Sequence, residues 1–231
     1  MKIGIIGAGN IGTALTRRFR AAGHDVAVAN SRRPETLHDL ARETGAHAVT
    51  AREAAHGRDV VIVTIPEKNV SDLPKDLFDG VSPDVVVVDT GNYYPRQRDG
   101  RIDAIEKGMP ESQWVAQQLG RPVVKAFNNI YAAHLLENGS PKGAAGRIAL
   151  PVAGDDPEAK AVVMQLIDEI GFDAVDAGTL AESWRQQPNS PVYTHDFDAE
   201  RVRQALSEAT SERTPAFSAT EQSPGTFEAP A

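Results

Sequence analysis

The chain has 231 residues, enough for one large domain or a domain with a small appendage. Its 32 acidic and 24 basic residues give a formal charge of −8, which argues against nucleic acid or an anionic membrane as a general partner but leaves room for a local phosphate pocket. The absence of cysteine excludes disulfides, thiolate metal sites and a thiol nucleophile, and no apolar run approaches the roughly 20 residues of a spanning helix, so a cytoplasmic protein is expected.

In chain order, a first strand over residues 2–6 presents Ile3, Ile5 and Ile6 and opens directly into Gly7-Ala8-Gly9-Asn10-Ile11-Gly12. A GxGxxG turn between a strand and a helix is a dinucleotide-binding fingerprint. Gly7 makes the tight turn, Gly9 lets backbone approach a pyrophosphate, and Gly12 lets the helix pack close to the strand. The helix start then offers unpaired N–H groups and a partial positive charge to phosphates. That helix is expected over 10–22, with Ile11, Ala14, Leu15 and Phe19 as its stripe.

A second strand over 25–29 ends in Asn30-Ser31-Arg32-Arg33-Pro34. This lies about twenty residues beyond the fingerprint, where an NAD site presents Asp or Glu to the ribose hydroxyls. Here a hydroxyl and two guanidiniums stand instead: Ser31, Arg32 and Arg33 suit a 2′-phosphate, which points to NADP. A helix over 34–44, a weak strand near 47–49 and a short crossover over 52–57 follow.

The β-branched run 60–65 reads as a central strand covered on both faces. It ends in Thr64-Ile65-Pro66, where Ile65 and Pro66 offer an apolar face to a nicotinamide or simply terminate the strand. A helical connection over 69–77 leads to a strand over 85–88 and the loop Asp89-Thr90-Gly91-Asn92-Tyr93-Tyr94; Gly91 permits close approach and Asn92 offers hydrogen bonds. Residues 95–110 read as a polar excursion or lid, and 111–119 as a helix anchored by Trp114.

A strand over 122–127 runs into Lys125-Ala126-Phe127-Asn128-Asn129-Ile130. Two asparagines at a strand end suit either a ligand carboxamide or a helix cap. Strands over 148–153 and 174–175 flank a helix that starts at Asp155-Asp156-Pro157, and an amphipathic helix over 199–206 follows Asp198. Beyond Glu208 no Val, Ile or Leu occurs, so residues 209–231 are expected to be disordered.

Together, the glycine fingerprint, Asn30-Ser31-Arg32 and Val124-Lys125-Ala126-Phe127-Asn128-Asn129-Ile130 resemble the deazaflavin (coenzyme F420)-dependent NADP oxidoreductases. They are also similar to the cytosolic reductase domain of the six-transmembrane metalloreductases. The resemblance covers roughly residues 1–200. It implies a Rossmann-type α/β fold, a doubly wound and mostly parallel sheet, with a small C-terminal extension over about 140–200 and a homodimeric assembly. It further implies that NADPH is held by Gly9, Asn10, Ile11, Ser31, Arg32, Ile65, Pro66, Ala126 and Asn128, with a flavin or deazaflavin against the exposed nicotinamide face. The cofactor set expected from residues and resemblance together is Gly7, Gly9, Asn10, Ile11, Gly12, Ser31, Arg32, Arg33, Thr64, Ile65, Pro66, Gly91, Asn92, Ala126, Phe127 and Asn128. No Tyr-x-x-x-Lys pair and no histidine at metal spacing is present. Two functions follow as expectations: hydride transfer between NADP(H) and a flavin, deazaflavin or small unsaturated acceptor, or a non-catalytic NADP(H) sensor built on the same pocket.

Overall fold

Residues 1–226 are described by the structure, a computed structural model. Strands β1 (Lys2–Ile6), β2 (Asp25–Ala29), β3 (His47–Ala48), β4 (Val60–Val63), β5 (Val86–Asp89) and β6 (Val124–Lys125) form one sheet in the order β3-β2-β1-β4-β5-β6, each pair parallel. This is the doubly wound arrangement expected from the sequence. Its strand order reverses between β1 and β4, and ligands of such sheets gather beyond the carboxyl ends of the strands at that point.

The central strands are mostly apolar because helices cover both faces. On one face Ile3, Ile5 and Ile62 meet Leu15 and Phe19 of α1 (Asn10–Ala21). On the other, Ile6 and Val61 meet Ala54 and Ala55 of a short helix over Ala51–Ala55. The connection after β2 begins as a 3₁₀ turn over Pro34–Leu37 and continues as α2 (His38–Thr44), where one helix was expected; proline sets the first turn and Gly45 ends the second at φ 73°. The helix Ala51–Ala55, α3, was expected only as a crossover. Thr50 and Glu53 cap it reciprocally, with Thr50 N donating to the Glu53 carboxylate at 2.9 Å.

After β4 comes α4 (Glu67–Val70), shorter and earlier than expected. Residues 95–110 depart from the expected polar lid. A π-type turn over Pro95–Asp99 and α5 (Asp103–Glu106) lay Ile102, Ile105 and Met109 against Tyr93 and against Trp114 of α6 (Glu111–Leu119), forming a small core of their own. The short helix α7 (Ala132–Glu137) packs on α1.

A second sheet pairs β7 (Ala149–Val152) with β8 (Asp173–Asp176) in parallel, linked by α8 (Pro157–Glu169). It is fastened to the first by an antiparallel bridge in which Lys125 and Ala153 exchange hydrogen bonds of 2.8 and 3.0 Å. The final helix, α9 (Ala199–Glu208), is capped by Asp198 and buries Val202, Ala205 and Leu206 against β7 and β8.

Residues 209–226, part of the tail for which disorder is expected, make polar contacts with the rest of the chain. Arg213 reaches Glu111 at 2.6 Å, Ala219 N donates to Glu106 at 2.9 Å, and Arg96 donates to the carbonyls of Thr220 and Ser223. Polar anchoring replaces the missing aliphatic residues, a device invisible to a hydrophobicity argument. Residues 227–231 lie outside the described residues. Among the described residues, no helix is long and apolar enough to cross a membrane.

Candidate functional site

The carboxyl ends of β1, β2 and β4 enclose a cavity of about 590 Å³. Of the residues expected to hold a cofactor, Gly7, Gly9, Ser31, Arg32, Thr64, Ile65 and Pro66 line it. Asn30 of the same loop as Arg32 also lines it, as do Asn69, Asp72 and Leu73, which were outside the expected set.

The glycine turn is tight where it faces the protein and open where it faces the cavity. A Cβ on Gly7, whose φ is +118°, would fall 2.2 Å from the Thr64 carbonyl oxygen, and one on Gly12 would fall 1.9 Å from the Gly7 oxygen. A Cβ on Gly9 would meet nothing within 4 Å. Helix α1 starts at Gly9 with no side-chain cap and no acid in its first turn, so its leading N–H groups keep their capacity for an anion.

Asn30 shapes the second loop rather than the ligand surface. Its Oδ1 accepts from Arg32 N at 2.9 Å, and its Nδ2 donates to Thr36 Oγ1 at 2.9 Å. This leaves Ser31, Arg32 and Arg33 exposed, with no side-chain partner among the described residues. Arg32 borders the cavity, whereas Arg33 does not.

At the chain ends of β5 and β6, Asn128 Nδ2 donates to Asn92 Oδ1 at 3.0 Å and to the Gln186 carbonyl at 2.6 Å, and its Oδ1 accepts from Gln186 Nε2 at 3.0 Å. Asn92 Nδ2 in turn donates to the Asn128 carbonyl at 2.9 Å. The amides of Asn92 and Asn128 are thus bonded to each other and to Gln186. Ala126 and Phe127 are fully buried, with Phe127 at φ 62°. That left-handed residue turns the chain from β6 so that Asn128 can enter the network. Asn129 is the asparagine whose amide has no partner among the described residues, although it is only 1 % exposed. Asn10 is exposed and Ile11 half-buried at the first turn of α1.

Behind these strand ends lies a buried ionic cluster that sequence reasoning missed. Lys125, fully buried in β6, lies 3.2 Å from Asp89 and 3.9 Å from Glu111, and donates to the Gly91 carbonyl at 2.5 Å. Burial disfavours its charge, but Asp89 and then Glu111 more than offset this and raise its proton affinity. Asp89 also accepts from Ser112 at 2.6 Å and from Gly91 N at 2.8 Å. Glu67, fully buried at the start of α4, has no hydrogen-bond partner on either carboxyl oxygen among the described residues. Burial, and then repulsion from Asp89, push its carboxyl well above the ordinary glutamate range. One signal was available: a lysine inside an apolar strand requires buried acids nearby. Nearby, the phenols of Tyr94 and Tyr193 are hydrogen-bonded, and burial raises both.

A separate cavity of about 450 Å³, between Met109, Trp184 and residues 208–213, contains none of the fingerprint residues. The first cavity is both the larger of the two and the one at the strand ends.

Residues 2–93 match the family model for NADP oxidoreductases, coenzyme F420-dependent. A solved structure of a hypothetical protein, SMa0349 from Sinorhizobium meliloti, is 33% identical, covers 85% of this chain and 95% of its own, and superposes with a TM-score of 0.72. The family-model match thus lies in the N-terminal part of the chain, and the likeness to the hypothetical protein extends over most of it. Two curated relatives share parts of it. Protein YjhV of Escherichia coli (strain K12) is 48% identical over 69 residues, 30% of this chain and 50% of its own length. The metalloreductase STEAP3 of Rattus norvegicus is 28% identical over 183 residues, 79% of this chain and 35% of its own length. The chain thus spans half the length of the first and about a third of the second. The matched segment contains the fingerprint, the arginine loop and the strand end at Pro66.

Proposed function

We propose that this protein is an NADPH-dependent oxidoreductase that exchanges hydride between NADP(H) and a flavin, a deazaflavin such as coenzyme F420, or a small unsaturated acceptor. The observation that carries the reading is the pairing, around one cavity, of an open glycine turn with an exposed Ser31 and an unpaired Arg32. NADPH, when bound, supplies the hydride. The chain's contribution is to bind and orient: Gly9 and the N–H groups of α1 receive the pyrophosphate, Ser31 and Arg32 receive the 2′-phosphate, and Ile65 and Pro66 provide an apolar wall. Arg33 serves at longer range, since it stands outside the cavity wall.

The test is titration with NADPH and NADH, followed by anaerobic turnover with F420, FMN, quinones and cyclic imines. Arg32→Ala is expected to weaken NADPH about 10-fold or more and to leave NADH nearly unchanged, the loss of one charge-assisted phosphate contact. Equal losses for the two nucleotides would remove the 2′-phosphate assignment. Binding of NADP(H) without turnover of any acceptor would favour the sensor over the enzyme.

A further inference from the structure

We propose that Glu67 is a proton-holding site coupled to the charge of the nicotinamide, releasing its proton when oxidised NADP⁺ binds and keeping it when NADPH binds. This rests on the NADP(H) reading above and extends it to a residue outside the expected cofactor set.

The argument starts from the charge inventory around Glu67. Asp89 is held by Lys125, Ser112 and the Gly91 N–H, and Glu111 is held by Arg213 at 2.6 Å and approached by Lys125. Asp99, the remaining acid that acts on Glu67, is paired with Arg98 at 3.0 Å. Two cations, Lys125 and Arg213, thus balance two anions, Asp89 and Glu111. Glu67 has no donor and no free cation left, so it is the acid that remains protonated.

Its position couples it to the site. Glu67 follows Pro66, a wall of the cavity, and its Oε1 would lie 2.5 Å from a Cβ placed on Gly91. It therefore sits beyond the ends of β4 and β5, beside the β1–β4 crevice and directly behind the cavity wall at Pro66. In a water-excluded site a new positive charge acts strongly over several ångströms. NADP⁺ carries one positive charge on its ring that NADPH lacks, and it would unbalance a cluster that is neutral with Glu67 protonated. Ionisation of Glu67 restores the balance. The step breaks the carboxyl O–H bond, leaves the electron pair on oxygen and gives the proton to solvent; nothing is oxidised or reduced.

The experiment is calorimetric titration of the full chain with NADP⁺ and with NADPH between pH 5.5 and 9, with proton release followed by an indicator dye in weak buffer. The 2′-phosphate is common to both nucleotides, so its titration cancels in the ratio of their affinities. In the wild type the preference for NADP⁺ is expected to rise about 10-fold or more with pH, and NADP⁺ to release up to one proton per site. In Glu67→Gln, isosteric with the protonated acid, the ratio is expected to stay flat and no proton to appear. Both nucleotides binding with a pH-independent ratio and no proton release in the wild type would overturn the inference and leave the NADP(H) reading intact. Persistence of the shift in Glu67→Gln would overturn the assignment to Glu67. Failure of both nucleotides to bind would overturn the NADP(H) reading itself, and the inference with it. If Glu67→Gln does not fold, a flat ratio without proton release in the wild type still overturns the inference.

Discussion

Gly9 and Gly12 stand three residues apart in one turn, yet alanine should fail at them for different reasons. At Gly12 the new methyl would sit 1.9 Å from the Gly7 oxygen and 2.8 Å from Thr64 Cγ2, so the helix must move away from the strand. Such overpacking costs about 1–3 kcal/mol and outweighs the roughly 1 kcal/mol that alanine gains over glycine in a helix. At Gly9 the methyl meets nothing. Gly12→Ala is therefore expected to lower both the melting temperature and nucleotide affinity, whereas Gly9→Ala shifts the melting temperature by under about 4 °C and still weakens NADPH binding about 10-fold. Unchanged affinity in Gly9→Ala would show that this face of the turn does not meet the cofactor. These glycines were legible because glycine reports a backbone requirement directly. Asn128 was legible only as unusual, since a sequence does not show that Gln186, 58 residues away, takes both its amide atoms. Glu67 was not legible at all: an acid after proline at a helix start ordinarily reads as solvated.

At the scale of elements, the strands were the clearest part of the chain, because β-branched runs such as Val60–Val63 are buried on both faces. Short elements held by polar bonds were not. Helix α3 depends on its capping box, so Thr50→Ala should cost about 1 kcal/mol, read as a lower urea midpoint at unchanged slope. The segment after α9 depends even more on polar contacts. Arg213 donates to Glu111 and to Gln187 Oε1 at 3.2 Å, and its guanidinium lies 5.3 Å from the centroid of the Tyr93 ring. Arg213→Ala leaves Glu111, which is fully buried, facing Lys125 alone at 3.9 Å. The expected loss is about 3 kcal/mol, and hydrogen exchange should accelerate across residues 209–226 and α6 together. Acceleration confined to the terminal residues would show that the segment is not fastened through Glu111.

For the whole molecule, the buried cluster sets a pH dependence that the net charge of −8 does not predict by itself. Hydrogen bonds from Lys142 and Arg147 hold the Asp168 carboxyl below its ordinary value, so its contribution is present above that range and is lost in acid. Glu67 acts in the opposite sense. The fold raises its proton affinity, so the folded state binds a proton that the unfolded chain has already released. Stability is thus full below the ordinary glutamate value and declines as pH rises toward the folded value, with a slope of up to about 1.4 kcal/mol per pH unit. Lys125, also raised, loses its contribution only as pH climbs beyond the ordinary lysine value, well above this window. The two limbs place the stability maximum in mild acid rather than at neutral pH. Glu67→Gln removes the declining limb while leaving the acid limb in place. Urea unfolding from pH 4.5 to 8 should therefore show wild-type stability falling across the range, Glu67→Gln nearly level, and the variant more stable than the wild type at pH 8. Parallel curves for the two proteins would mean that Glu67 is ionised in the folded chain, with Lys125 holding three carboxylates instead of two.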